Sequence, residues 1–310
     1  MRLLQRMTLI IDHSNITKLS KKKKTKKPPV SKVPAKPERN LEKHIQEFRK
    51  AVVGPVIDDF QLMLKSGASY VEMAEYLELK LTEVQYLTGR TVEFIVDIWK
   101  SEMDRETREK FDKSMSHSLG IDITAVLDSP EIKEALHIGG IEAANLIKTI
   151  PTEFLGDVAQ AVSQSFRGEQ LPQGRTLIDQ IMHIGGVSEN RARLIARDQT
   201  GKMFAILDKT RQTSAGIEMY IWRTSKDQAV VGRPGGLYPK GNKRHGNHWK
   251  MEGLYCRWDD PTVYSEDQGK TWKKRKSDMP MAHPGQEINC RCVSSPVINI
   301  DQIIQAAIAA

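Results

Sequence analysis

The residues best suited to chemistry crowd into the last quarter of the chain. Cys290 and Cys292 flank Arg291 in the run Asn289-Cys290-Arg291-Cys292, and Cys256, His248 and His283 lie shortly before it. Thiolate and imidazole are zinc donors, so these five residues could furnish a structural zinc site. The single residue between Cys290 and Cys292 departs from the two-residue spacing of the usual zinc knuckle. Cysteine is also among the most buried residue types, and packing of the thiols into a small core is the simpler use. A nuclease would combine His248 with Asp227, Glu252 or Asp259, yet no paired-carboxylate motif supports it. No nucleophile elbow, P-loop or dinucleotide fingerprint is present. The expectation is therefore a protein without a catalytic centre and without a cofactor, in which Cys290 and Cys292 pack beside Trp222 or Trp258.

Local elements must position these residues. Alternation over Glu287 to Val293 predicts a strand with both thiols on one face and Arg291 on the other, where it could pair with Asp227 or Glu287. His283-Pro284-Gly285 predicts the turn that feeds it. Glu218 to Thr224 alternates as a second strand, with Tyr220, Trp222 and Thr224 on one side. Val263-Tyr264 and Thr271-Trp272 read as short strands around a turn at Glu266 to Gly269. Four of the five tryptophans fall between Trp222 and Trp272, and ten of the 21 glycines between Gly201 and Gly285. This is the texture of a small, loop-rich domain over residues 213–296.

Upstream, residues 38–212 read as helical. Asn40 predicts an N-cap, Leu41, Ile45, Phe48 and Val52 follow at helical spacing, and Gly54-Pro55 predicts a break or kink. Ser129-Pro130 predicts a helix start with proline at its first position. His137-Ile138-Gly139-Gly140-Ile141 recurs as His183-Ile184-Gly185-Gly186-Val187, and the paired glycines predict chain reversals between helices. Ser188 predicts the cap of a last long helix running to Arg211, with its basic residues on a solvated face. The fold class expected is α+β: a helical N-terminal region followed by a small β-containing C-terminal domain.

Charge is distributed unevenly. Residues 1–37 carry Arg2, Arg6 and nine lysines against Asp12 alone, and the remaining chain holds 36 basic and 38 acidic residues. Lys21, Lys22, Lys23, Lys24, Lys26 and Lys27 precede a proline-rich stretch that cannot build a core, so residues 1–37 are expected to form a basic, flexible arm. Such an arm suits phosphate contact without sequence readout, because each lysine near nucleic acid releases counterions. Three cysteines with no pairing geometry point to a reducing compartment. No apolar run approaches a membrane span, and Leu9-Ile10-Ile11 is too short for a signal-peptide core. Residues 297–310 form an apolar tail.

Four signals in order resemble one family. The first is the helix Arg191-Ala192-Arg193-Leu194-Ile195-Ala196-Arg197, followed by Asp198 where many relatives place threonine. Next come Trp222-Arg223-Thr224-Ser225-Lys226-Asp227, then His248-Trp249-Lys250-Met251-Glu252-Gly253, and finally Pro284-Gly285 with Asn289-Cys290-Arg291-Cys292. Together they resemble the phage Mu F-like minor head proteins of phage head morphogenesis. Within this pattern Arg197, Trp222, Thr224, Asp227, His248, Gly253, Pro284, Gly285, Asn289, Cys290, Arg291 and Cys292 carry the likeness. The resemblance implies a minor component of a phage head at the portal vertex, assembled in the host cytoplasm. Its partners would be portal protein, major capsid or scaffolding protein, and packaged DNA. A metal-dependent nucleic-acid-processing enzyme or a zinc-containing DNA-binding protein is the competing expectation.

The lysine arm yields a direct test. Deleting residues 17–37 should flatten the dependence of DNA affinity on salt concentration, since it removes charges that displace counterions. Equal salt slopes for the deleted and full-length chains would reduce the arm to a linker.

Overall fold

A computed structural model describes residues 28–119, 127, 129–241 and 245–299. The fold is α+β. Among the described residues, four long helices, α1 (Ala35–Lys65), α2 (Tyr70–Leu119), α3 (Pro130–Phe166) and α4 (Leu177–Ser214), precede five short strands. These are β1 (Met219–Arg223), β2 (Tyr255–Arg257), β3 (Val263–Tyr264), β4 (Lys273–Lys274) and β5 (Val293–Pro296). The strands form an antiparallel sheet in the order β2-β1-β5 and a separate β3-β4 hairpin.

Contacts divide the chain into two compact units, and the division does not follow the change of texture at residue 212. One unit is Met1–Pro34, Glu102–Gly139 and Thr200–Ala310, and the other is Ala35–Ser101 and Gly140–Gln199. The six lysines of the basic arm lie outside the described residues. Residues 28–34 have no regular secondary structure, whereas 35–37, expected to belong to the arm, already open α1.

Several helix boundaries expected from the sequence are overturned. Helix α1 starts five residues before Asn40 and runs through Pro55. Proline removes one backbone bond, but Val53, Val56 and Phe60 around it are buried in the core of the second unit. Burial on both sides outweighs the local loss. Both glycine pairs lie inside helices, α3 and α4, where reversals were expected. Close packing explains Gly139 and Gly185, whereas a Cβ at Gly186 would meet nothing within 4 Å. A Cβ at Gly185 would sit 3.1 Å from Ile57 Cδ1, and one at Gly139 would sit 2.6 Å from Met203 Cε. Ser188 caps nothing; its hydroxyl donates to the Gly185 carbonyl one turn back, at 2.7 Å. Helix α3 does begin at Pro130, with Ile132 N donating to Ser129 O.

In the first unit, the last turns of α4 bind the sheet through polar groups. Asp208 is buried and accepts from Ser294 Oγ of β5 and from Gln212 Nε2. Gln212 also donates to Ser294 Oγ and accepts from Trp258 Nε1 at 3.2 Å. Arg211, expected on the solvated face, is fully buried and donates to Asp104 Oδ1 at 2.5 Å and Thr107 Oγ1 at 2.6 Å. Removing a charge from water is costly, and it is tolerated here because the guanidinium is paired and hydrogen-bonded.

Asp208 makes stability depend on pH. Burial pushes its carboxyl up from 3.8 to about 6, against hydrogen bonds that favour ionisation. An acid whose folded pKa is raised stabilises fully below its unfolded pKa, and that contribution is lost as pH rises through the folded value. The unfolding free energy of Asp208→Asn should therefore gain on that of the native chain by roughly 2–3 kcal/mol between pH 4 and pH 7. A difference that stays constant across this range would contradict the account.

Candidate metal centre

Three backbone segments meet in the core of the first unit. Strand β1 alternates, so that Tyr220 and Trp222 are fully buried between half-buried neighbours. A 3-10 turn at His248–Met251 is capped by Asn247, whose side chain accepts from Lys250 N. It carries His248 edge-on to Trp222, ring centroids 5.8 Å apart. The third segment is the turn from His283 to Cys292. Gly285 has φ +82° there, and a Cβ would lie 2.5 Å from Ala205 Cβ, so both conformation and space demand glycine.

The strand expected over Glu287 to Val293 does not form. Asn289 has φ +56°, Cys290 N bonds back to Glu287 O at 3.0 Å, and extended backbone begins only at Val293. A left-handed residue ends the period-two alternation. Both thiols nevertheless reach one atom: His248 Nδ1 lies 3.5 Å from Cys290 Sγ and 3.4 Å from Cys292 Sγ. One ligand atom from each of these three residues lies within 4.8 Å of the others, and the group could hold a metal ion. All three are buried, at 4%, 9% and 4% exposure for His248, Cys290 and Cys292. Cys290 and Cys292 share this core with Trp222, Trp258, Tyr220 and Met251.

The far side of the imidazole is held by a carboxylate. Glu287 Oε2 lies 2.5 Å from His248 Nε2 and 3.8 Å from His245 Nδ1. Burial disfavours the imidazolium, but hydrogen bonds with Cys290 and Glu287 outweigh it and push His248 up to about 10. The thiols are shifted apart. Cys290 is held well below the usual thiol range, first by its hydrogen bond with Cys292 and then by His248, while Cys292 is raised by Cys290 and by burial.

Cys256 and His283, the other zinc candidates, stand apart from this group. Cys256 Sγ accepts from Arg275 at 3.4 Å. Arg275 is itself buried, donates to the carbonyls of Pro280 and Ala282, and stacks over Trp222 at 5.4 Å. His283 shares a hydrogen bond of 2.9 Å with Tyr220 Oη and packs on Trp258. Burial, with Lys209 and Arg275 nearby, pushes His283 down to about 4 and keeps it neutral.

The remaining singled-out residues build the frame. Glu252 Oε2 accepts from Thr224 N at 2.6 Å and Thr224 Oγ1 at 2.9 Å. Gly253, at φ +83°, donates its N–H to Trp222 O. Asp227 closes a turn by accepting from Ala229 N, and Pro284 is buried. Arg291 is half-buried beside the centre, and Arg197 is half-buried in α4, in the other unit. Of the acids considered for a nuclease, Glu252 serves Thr224, Asp227 its own turn, and Asp259 pairs with Arg257. The acid that does reach His248 is Glu287, whose expected partner is Arg291. Its one sequence signal is its place three residues before Cys290.

No family model matches the chain, and no solved structure matches it. An uncharacterized protein of Haemophilus influenzae is 30% identical over 234 residues, covering 73% of this chain. The chain spans 44% of that relative's length. Among the described residues, no helix is long and apolar enough to cross a membrane.

Burial sets the reactivity of the thiols. Cys256, Cys290 and Cys292 should all resist a thiol-specific disulfide reagent in the native chain and all react once guanidinium unfolds it. Rapid labelling of Cys290 in the folded chain would instead mark it as an accessible nucleophile paired with His248.

Proposed function

We propose that the chain is a minor head protein of a tailed phage, associated with the portal vertex and acting in head morphogenesis by presenting contact surfaces. One observation carries this reading. Residues of the family resemblance that lie scattered from Trp222 to Cys292 converge on one buried centre or on the turns that build it. A shared motif whose members frame a core is what a structural module requires, and none of it calls for a catalytic centre. Portal protein, major capsid or scaffolding protein and DNA are its partners, with the lysine arm touching packaged DNA without sequence preference.

The metal that suits this centre is zinc, in a structural role. Two sulfurs and one imidazole match zinc's preferred donors, and burial of all three suits a structural ion, although these three residues leave its fourth position unfilled. The competing enzyme would have to bring substrate to His248 through that covering.

Particle composition tests the head-protein reading. Phage particles induced from the native host and banded on a density gradient should contain the chain, by mass spectrometry, at a few copies per DNA-filled head. Its recovery only from the soluble lysate, with particles free of it, would overturn the proposal.

A further inference from the structure

We infer that Glu287 is the positioning residue of this centre: it holds His248 by Nε2–H, so that Nδ1 and the two sulfurs mark three corners of a tetrahedral zinc site. The inference rests on the zinc reading above and adds how the site is built. Around a tetrahedral zinc with Zn–N of about 2.05 Å and Zn–S of about 2.3 Å, the nitrogen-to-sulfur edge is about 3.5–3.6 Å. The observed edges are 3.5 and 3.4 Å, and both start from the same ring nitrogen. Two of the three edges of a tetrahedral donor set are thus already present in the packing, and the third, between the sulfurs, is no longer than 4.8 Å.

The outer partners fit a metal ligand set. Metal-bound imidazoles almost always donate their other N–H to a carboxylate, a backbone carbonyl or water, which fixes tautomer and ring orientation. His248 Nε2 has two such acceptors, Glu287 Oε2 at 2.5 Å and the His245 carbonyl at 3.1 Å. Glu287 sits on the same turn as Cys290 and Cys292, so one short segment supplies two ligands and the group that orients the third. The sulfurs have a donor suited to thiolate ligands as well: Gly285 N–H points at Cys290 Sγ at 3.3 Å. The ring of Trp222, fully buried, stands edge-on to His248 with centroids 5.8 Å apart.

The test uses the full chain, stripped of metal and titrated with Co(II) and then Zn(II). The zinc reading expects one Co(II) per chain, with sulfur-to-cobalt charge transfer and the intense visible bands of tetrahedral cobalt, all displaced by zinc. Failure to bind, or a weak octahedral spectrum, overturns zinc and the inference together. Glu287→Gln should keep the stoichiometry and the spectrum while weakening binding about 10–100-fold. Unchanged affinity in a folded Glu287→Gln chain overturns the role of Glu287 and leaves the zinc reading standing. Nitrogen NMR of the native zinc-bound chain reads the ring without any substitution. Zinc on Nδ1 with a proton on Nε2 is expected, and the reverse assignment overturns the inference.

Discussion

The first unit's sheet depends on a contact between two sulfurs and one imidazole in a place with little apolar mass to spare. Its strands are three to five residues long, and a sheet this small persists in water only when its apolar face is covered. Tyr220, Trp222, Trp258, Tyr264 and Met251 supply most of the apolar surface, and the three donors fill the space among them. The turn from His283 to Cys292 has no regular hydrogen-bond ladder. Its position is set by where the thiols and Glu287 meet His248. If the centre opened, that turn would lose its anchor, and β5, which begins directly after Cys292, would lose its lead into the sheet.

Around this centre, buried charge is compensated locally. Arg275 spends its guanidinium on two carbonyls and a sulfur while covering Trp222. Arg211 answers Asp104, and Asp208 is held by Ser294 and Gln212. Each of these groups joins a helix or turn to a neighbouring element in one geometry, because leaving any partner unpaired in a dry interior is costly. Nonspecific collapse would satisfy the aromatics equally well in many arrangements. The polar pairs select one.

The sequence disclosed much of this and concealed the rest for physical reasons. Strand β1 was legible because Tyr220 and Trp222 alternate with residues that stay half-buried, and the start of α3 because Pro130 follows Ser129. The α+β division and the convergence of Cys290 and Cys292 were legible too, although alternation was the wrong reason for the second. A positive φ at Asn289 cannot be read from one sequence, and it turned an expected strand into a turn that still aims both thiols at His248. The glycine pairs misled because glycine permits reversals and close helix approach alike, and only the presence of Ile57 or Met203 opposite decides between them. Glu287 and Arg275 were missed because their partners lie on distant segments and no local spacing announces them.

The central claim is that the His248–Cys290–Cys292 contact holds the small sheet together. Hydrogen exchange on the native chain and on His248→Ala measures this residue by residue. The account predicts that amides of β1, β2 and β5 lose protection in the variant while those of α1, in the other unit, keep theirs. Unchanged protection of Tyr220, Trp222 and Cys256 in His248→Ala would contradict it.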